Sequence, residues 1–115
     1  ILDRFRLTGQ VAIVTGAGRG IGAGIAKAFA EAGADVVCAA RTREQIETVA
    51  EEIRALGRRA LPVDCDVNQR AQLEALVAAA LAEFGRIDLL VNNAGGAPPQ
   101  AAMFTSERAF EEAFH

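Results

Sequence analysis

Residues 15–22 read Thr-Gly-Ala-Gly-Arg-Gly-Ile-Gly, the stretch of the chain whose residue types and spacing point most directly to chemistry. An apolar run, VAIV at 11–14, leads into it, and a stretch with helical apolar spacing follows. A buried strand that turns sharply into a helix leaves unpaired backbone N–H groups, carrying partial positive charge, at the helix start. Such a bend attracts a pyrophosphate, and glycine lets the ligand approach the backbone. The spacing is not G-x-G-x-x-G: counted from Gly16, Ile21 stands where the third glycine would fall. It fits T-G-x-x-x-G-x-G through Thr15, Gly16, Gly20 and Gly22, with Gly22 placed for close packing of helix on strand. No G-K-[ST] follows, which excludes a Walker A loop. A G-x-G-x-G of the kind found in methyltransferase-type cofactor domains can also be read from Gly16 or Gly18.

The next apolar run, DVVCAA at 35–40, ends in Arg41. In a dinucleotide fold, an acid at the carboxyl end of this second strand binds the ribose hydroxyls of NAD. Asp35 is acidic but lies at the start of the strand, the wrong end for a ligand. Ala40 leaves room for a 2′-phosphate, and Arg41 can pair with one through charge-assisted bonds. Arg19, inside the glycine turn, is a second cation for the same phosphate. Two cations and no carboxylate here favour NADP(H), with NAD(H) as the alternative. Arg43 is read as facing solvent. A methyltransferase-like domain would need the acid that Ala40 and Arg41 do not supply.

These residues must be held by regular elements, and two kinds of segment alternate to do so. Runs rich in Val, Ile and Leu at 11–15, 35–40, 60–64 and 87–92 read as strands buried on both faces. Helical spacing marks 20–32 through Ile21, Ile25, Ala28 and Phe29, and 43–56 through Ile46, Val49, Ile53 and Leu56. It marks 69–84 through Leu73, Leu76, Val77, Ala80, Leu81 and Phe84. Gly33, Gly57 and Gly85 stand just past the three ends, where a left-handed cap is preferred. A fourth helix is expected near Ser106, running off the end of the chain. The order β-α-β-α-β-α-β-α predicts a Rossmann-type doubly wound parallel sheet, an incomplete α/β fold of four strands and about four helices in one domain. Residues 96–105, GAPPQAAMFT, read as a loop at the carboxyl end of the fourth strand, where ligands bind in such sheets.

Composition bounds the rest. Half of the 115 residues (51%) are apolar, enough for a packed core, and the net charge is −3. With no basic face, nucleic acid is not an expected partner. No apolar run nears the roughly 18 residues of a membrane span, and the first ten residues lack a signal-peptide core. Two cysteines outside any CxxC pair and a single His give no metal site, and the thiols are expected to be reduced and buried. That usage suggests the cytoplasm.

TGAGRGIG at 15–22, Asp66-Val67 after the third strand and Asn92-Asn93-Ala94-Gly95 after the fourth carry a resemblance to the short-chain dehydrogenase/reductase family. VAIVTGAGRGIG and FGRIDLLVNNAG resemble it at every step, and the likeness spans essentially the whole chain. The resemblance implies that Gly16, Gly20, Ile21 and Gly22 line the pyrophosphate. Asp66 would accept from the adenine amino group, with Val67 beside the ring. Asn93, Ala94 and Gly95 would contact the nicotinamide-side ribose, and Asn92 would tie the fourth strand to its neighbours. Taken alone, Asp66 also reads as a turn or cap acid, the Asn pair as a simple turn, and Asp64 as solvated or capping.

The family transfers hydride between the nicotinamide and a small-molecule carbonyl or secondary alcohol. A Ser, a Tyr and a Lys do that chemistry. This sequence has no Tyr, and Lys27 is its only lysine. No residue is therefore assigned as catalytic; Ser106 and His115 read as cap or helix-surface positions. The chain is expected to be the N-terminal, cofactor-binding half of a longer enzyme. In a 3-2-1-4 strand order the apolar fourth strand would be an unprotected edge, which later strands should cover. The resemblance also implies a homo-oligomer, a dimer or tetramer, with the fourth helix at an interface. A dinucleotide-binding module without turnover is the remaining alternative.

Overall fold

The computed structural model describes residues 6–93 and the backbone of 100–103. The sheet begins with β1 (Val11–Thr15), followed by α1 (Gly20–Glu31), β2 (Asp35–Ala40), α2 (Arg43–Ala55), β3 (Ala60–Asp64), α3 (Arg70–Phe84) and β4 (Leu89–Asn92). A further strand, β5 (Gln100–Met103), completes the order β3-β2-β1-β4-β5. The first four strands are parallel: Val11 is level with Asp35, Val36 with Ala60, and Ala12 with Leu89. The expected 3-2-1-4 doubly wound sheet is therefore present. The expected fourth helix, with Ser106 and His115, lies outside the described residues.

The pleat decides which side chains meet which helix, because alternate residues point to opposite faces. Val14, Val36, Cys38 and Val91 pack with Ala23, Ala26 and Ala30 of α1 and with Ile46, Val49 and Ile53 of α2. Val11, Ile13, Val37 and Ala39 pack on the other face with Cys65, Ile87 and, from α3, Leu76 and Ala80. One sheet thus separates two cores, with α1 and α2 on one side and α3 on the other. Ile13 is fully buried between its neighbours. Truncating it to Ala would cost about 2–5 kcal/mol in lost transfer energy and cavity.

Several expectations need correction. The buried stripe of α1 is Gly22, Ala23, Ala26 and Ala30. Ile25 and Phe29 only flank the core, Ala28 is exposed and Ile21 is 67% exposed. Small residues let the helix axis come close to the sheet, and that places the larger ones at the margin. On α3, Leu73, Val77, Leu81 and Phe84 face the core but stay partly exposed. β3 is not buried on both faces, because it is an edge strand with one neighbour, and Pro62 is tolerated there. β4 starts at Leu89 rather than residue 87. Asp88 ends the ladder: its N–H donates to the Val11 carbonyl and its carboxylate accepts from the Val11 N–H at 2.8 Å.

The loop expected over 96–105 contains β5, which pairs antiparallel with β4: Leu89 with Met103, Asn92 with Gln100. β4 is therefore not an edge. Its free N–H and C=O groups take the nearest segment that can reach them, in the direction a short return allows. All three helices do end at a left-handed glycine, Gly33 (φ 106), Gly57 (φ 86) and Gly85 (φ 76).

Candidate functional site

The carboxyl ends of β1 to β4 surround one cleft of about 390 Å³. Behind β1 it is lined by Gly16, Gly18 and Arg19, and behind β2 by Ala40, Arg41, Thr42 and Gln45. Behind β3 stand Cys65, Asp66, Val67 and Asn68, and behind β4 stands Asn93. β1 and β4 are neighbours in the sheet but not in sequence, so the cleft sits where the strand order reverses, the position ligands take in open α/β sheets.

The glycine bend forms for visible reasons. Gly16 (φ 63) and Gly20 (φ 58) are left-handed, a conformation that costs any residue with a Cβ. Gly22 is needed for proximity instead: a Cβ there would fall inside the Gly16 carbonyl group and 2.5 Å from Asn93 Nδ2. The bend delivers the start of α1 to the cleft. Arg19 is its N-cap, no side chain caps it, and its first turn holds no acid. The first N–H groups of a helix have no partner within it. An unpaired row of donors with no competing carboxylate suits an anion of diphosphate type.

Thr15 joins the two strand ends across the reversal. Among the described residues it is the buried polar one, 2% exposed. Its hydroxyl lies 3.0 Å from Asn92 Oδ1 and 3.3 Å from the Val91 carbonyl, either of which can take its proton. It also accepts from the Asn93 N–H. Asn93 Nδ2 then reaches the Gly16 carbonyl at 3.4 Å, so the bend and the end of β4 hold each other. Asn92 ties β4 to its neighbour as expected. Ala94 and Gly95 lie outside the described residues.

Asp66 forms the turn that its sequence position allowed. Its Oδ1 accepts from the Asn68 N–H at 3.0 Å, forming a turn, and its own N–H donates to Gln72 Oε1 at 2.8 Å. Yet it and Val67 line the cleft. Asp35 is at the opposite rim, where Arg59 grips it with two nitrogens. Arg43 opens α2 and is exposed, but it is engaged by Glu47 at 2.8 Å and Asp64 at 3.6 Å. Asp64 is thus solvated and paired. Arg19 and Arg41 both reach the cleft wall, and among the described residues neither has an ion-pair partner. Lys27 pairs with Glu52 between α1 and α2.

Both thiols are free and buried. Burial pushes Cys38 up to about 12, only partly offset by Arg54. Burial also raises Cys65, and the nearby Asp66 charge adds to it. Neither is a nucleophile at neutral pH. Thr42, Gln45, Cys65 and Asn68 line the cleft without belonging to any motif. Only the rule that ligands sit at strand carboxyl ends could have pointed to them.

The fold and cleft define a nucleotide-binding α/β protein, and comparison with known proteins narrows the class. The family described as short chain dehydrogenase matches residues 10–115. An uncharacterised oxidoreductase of Mycobacterium tuberculosis is 48% identical over 114 residues, covering 99% of this chain and 43% of that protein. The 7alpha-hydroxysteroid dehydrogenase of Escherichia coli K12 is 43% identical over 112 residues, covering 95% and 44%. Among solved structures, a hydroxysteroid dehydrogenase from Escherichia coli superposes with a TM-score of 0.79 at 45% identity, over 85% of this chain and 40% of that one. A 7alpha-hydroxysteroid dehydrogenase complexed with NADH and 7-oxo glycochenodeoxycholic acid gives 0.80 at 45%, over 85% and 38%. This chain therefore belongs to the short-chain dehydrogenase/reductase family of oxidoreductases, and it spans less than half the length of the curated relatives it matches.

Proposed function

We propose that this segment binds a nicotinamide dinucleotide, NADP(H) in preference to NAD(H), for an enzyme that interconverts small-molecule carbonyls and secondary alcohols. The bend at 16–22 supports it most directly. Two left-handed glycines and one glycine without room for a Cβ leave a cradle of bare backbone at the uncapped start of α1. Gly16, Gly18, Gly20, Ile21 and Gly22 would take the diphosphate, with Ile21 offering an exposed apolar face to the ligand. Asp66 keeps an oxygen outside its turn bond for the adenine amino group, and Val67 would flank the ring. Asn93, with Ala94 and Gly95, would meet the ribose on the nicotinamide side. The bound dinucleotide would supply the hydride. These residues would bind and orient it.

The preference for a 2′-phosphate rests on Arg41 and Arg19. Both reach the cleft uncommitted, while Arg43 is already paired and no carboxylate closes β2. NAD(H) is the second reading, because a solved relative holds NADH. Titration of the protein with each cofactor separates them. NADPH should bind more tightly than NADH, and Arg41→Asp should cut that preference about tenfold or reverse it, a change of about 1.4 kcal/mol. An unchanged preference would remove Arg41 from the site. The free, buried thiols fit a reducing compartment such as the cytoplasm, and a homo-oligomer, dimer or tetramer, completes the reading.

A further inference from the structure

Gly18 is not one of the glycines of T-G-x-x-x-G-x-G, and its backbone is not left-handed. Its reason for being glycine lies across the cleft. A Cβ at Gly18 would stand 2.9 Å from both Cβ and Oε1 of Gln45, and 3.7 Å from the Ala40 Cβ. Gln45 sits in the first turn of α2, half-buried, and lines the cleft with Ala40, Arg41 and Thr42. The Gln45 side chain therefore fills the space beside the glycine bend that a Cβ at Gly18 would need. This places an amide in the cleft wall where the chain leaves β2, a wall that Arg19 and Arg41 also line.

We infer that Gln45 is a specificity-determining residue, whose side-chain amide faces the substituent on the 2′ carbon of the adenosine ribose. This rests on the reading of the cleft as a dinucleotide site. An amide has two donor hydrogens and one acceptor oxygen. Its NH₂ can donate to a phosphate, and its carbonyl can accept from a hydroxyl. A neutral Gln therefore lets the arginines set the preference. A charge at the same place would act on the 2′ substituent directly, because the cleft wall screens less than bulk water. Glu is nearly isosteric with Gln, so Gln45→Glu keeps the shape beside Gly18 while replacing the NH₂ donor with a charged acceptor. Position 45 is on a helix surface, where Glu and Lys are both good helix formers.

The test is calorimetric titration of the protein and of its Gln45→Glu and Gln45→Lys variants with NADP+ and NAD+, with thermal melts to verify folding. Gln45→Glu should shift the ratio of the two dissociation constants about tenfold toward NAD+, and Gln45→Lys should shift it severalfold toward NADP+. Two ratios that stay put, or move in the same direction, overturn the assignment. The Arg41→Asp variant, run alongside, separates the causes. If it moves the ratio and the Gln45 variants do not, Gln45 is excluded and the cofactor reading stands. If none of them moves it, both fall.

Discussion

The backbone N–H of Asn93 donates to the hydroxyl of Thr15 at 3.0 Å, bonding the end of β4 to the end of β1 although 78 positions separate them in the chain. One small side chain thereby anchors the residue that also holds the Gly16 carbonyl.

Thr15→Val removes the acceptor while keeping the shape. It should destabilise the fold by about 1–3 kcal/mol, because a part-buried N–H and the Asn92 side chain lose their partner. Dinucleotide affinity should fall with it. Thr15→Ser, which keeps the hydroxyl, should recover most of both. Urea unfolding midpoints and cofactor titration of the three proteins check this; equal midpoints for Val and Thr would contradict it.

Gly22 and Gly24 share one helix but differ in surroundings. Gly22→Ala must push the Gly16 carbonyl aside, so it should lower stability by about 1–3 kcal/mol and weaken cofactor binding at least about tenfold. Gly24 has open space where a Cβ would go, and Gly24→Ala should stabilise by about 0.5–1 kcal/mol through helix propensity alone. Melting curves and titrations of both variants separate a steric role from a merely helical one.

Cys38 makes stability sensitive to alkaline pH. Burial raises its thiol from 9.0 to about 12, so the folded protein keeps a proton that the unfolded chain releases. The corresponding stability is whole below pH 9 and is lost as pH climbs from about 9 toward about 12, by about 1.4 kcal/mol per unit. Cys38→Ala should flatten that part of the stability–pH curve, at the cost of a small cavity. Denaturant midpoints measured between about pH 9 and pH 11 decide it: equal slopes for the two proteins would show that Cys38 does not titrate there.

The parts of this fold that read directly from sequence are those fixed by local chemistry. Val-rich runs placed β1 and β2, glycines after each apolar helix placed all three helix ends, and Thr15 to Gly22 placed the bend. Features that depend on distant partners did not read. Gln100–Met103 has no β-branched residue and follows two prolines, so nothing local marks β5, which exists because β4 offers it an edge. The closeness of Gly18 and Gln45 joins a glycine outside T-G-x-x-x-G-x-G to a position that no motif covers. The apolar residues of α1 were visible, but which of them the core would take depended on how near the sheet its small residues let it come.

The outer side of β3 offers little to a further strand. Val36 N–H bonds to the Arg59 carbonyl, and Cys65 N–H bonds to the Ala40 carbonyl, so the odd-numbered residues of this strand face β2. The even-numbered ones face away, and Arg54 already occupies the Ala60 carbonyl at 2.9 Å. Pro62, the next in that row, has no hydrogen to give. A stray strand from another molecule would find one acceptor taken and one donor missing at consecutive positions, so this margin resists templating the growth of fibrils.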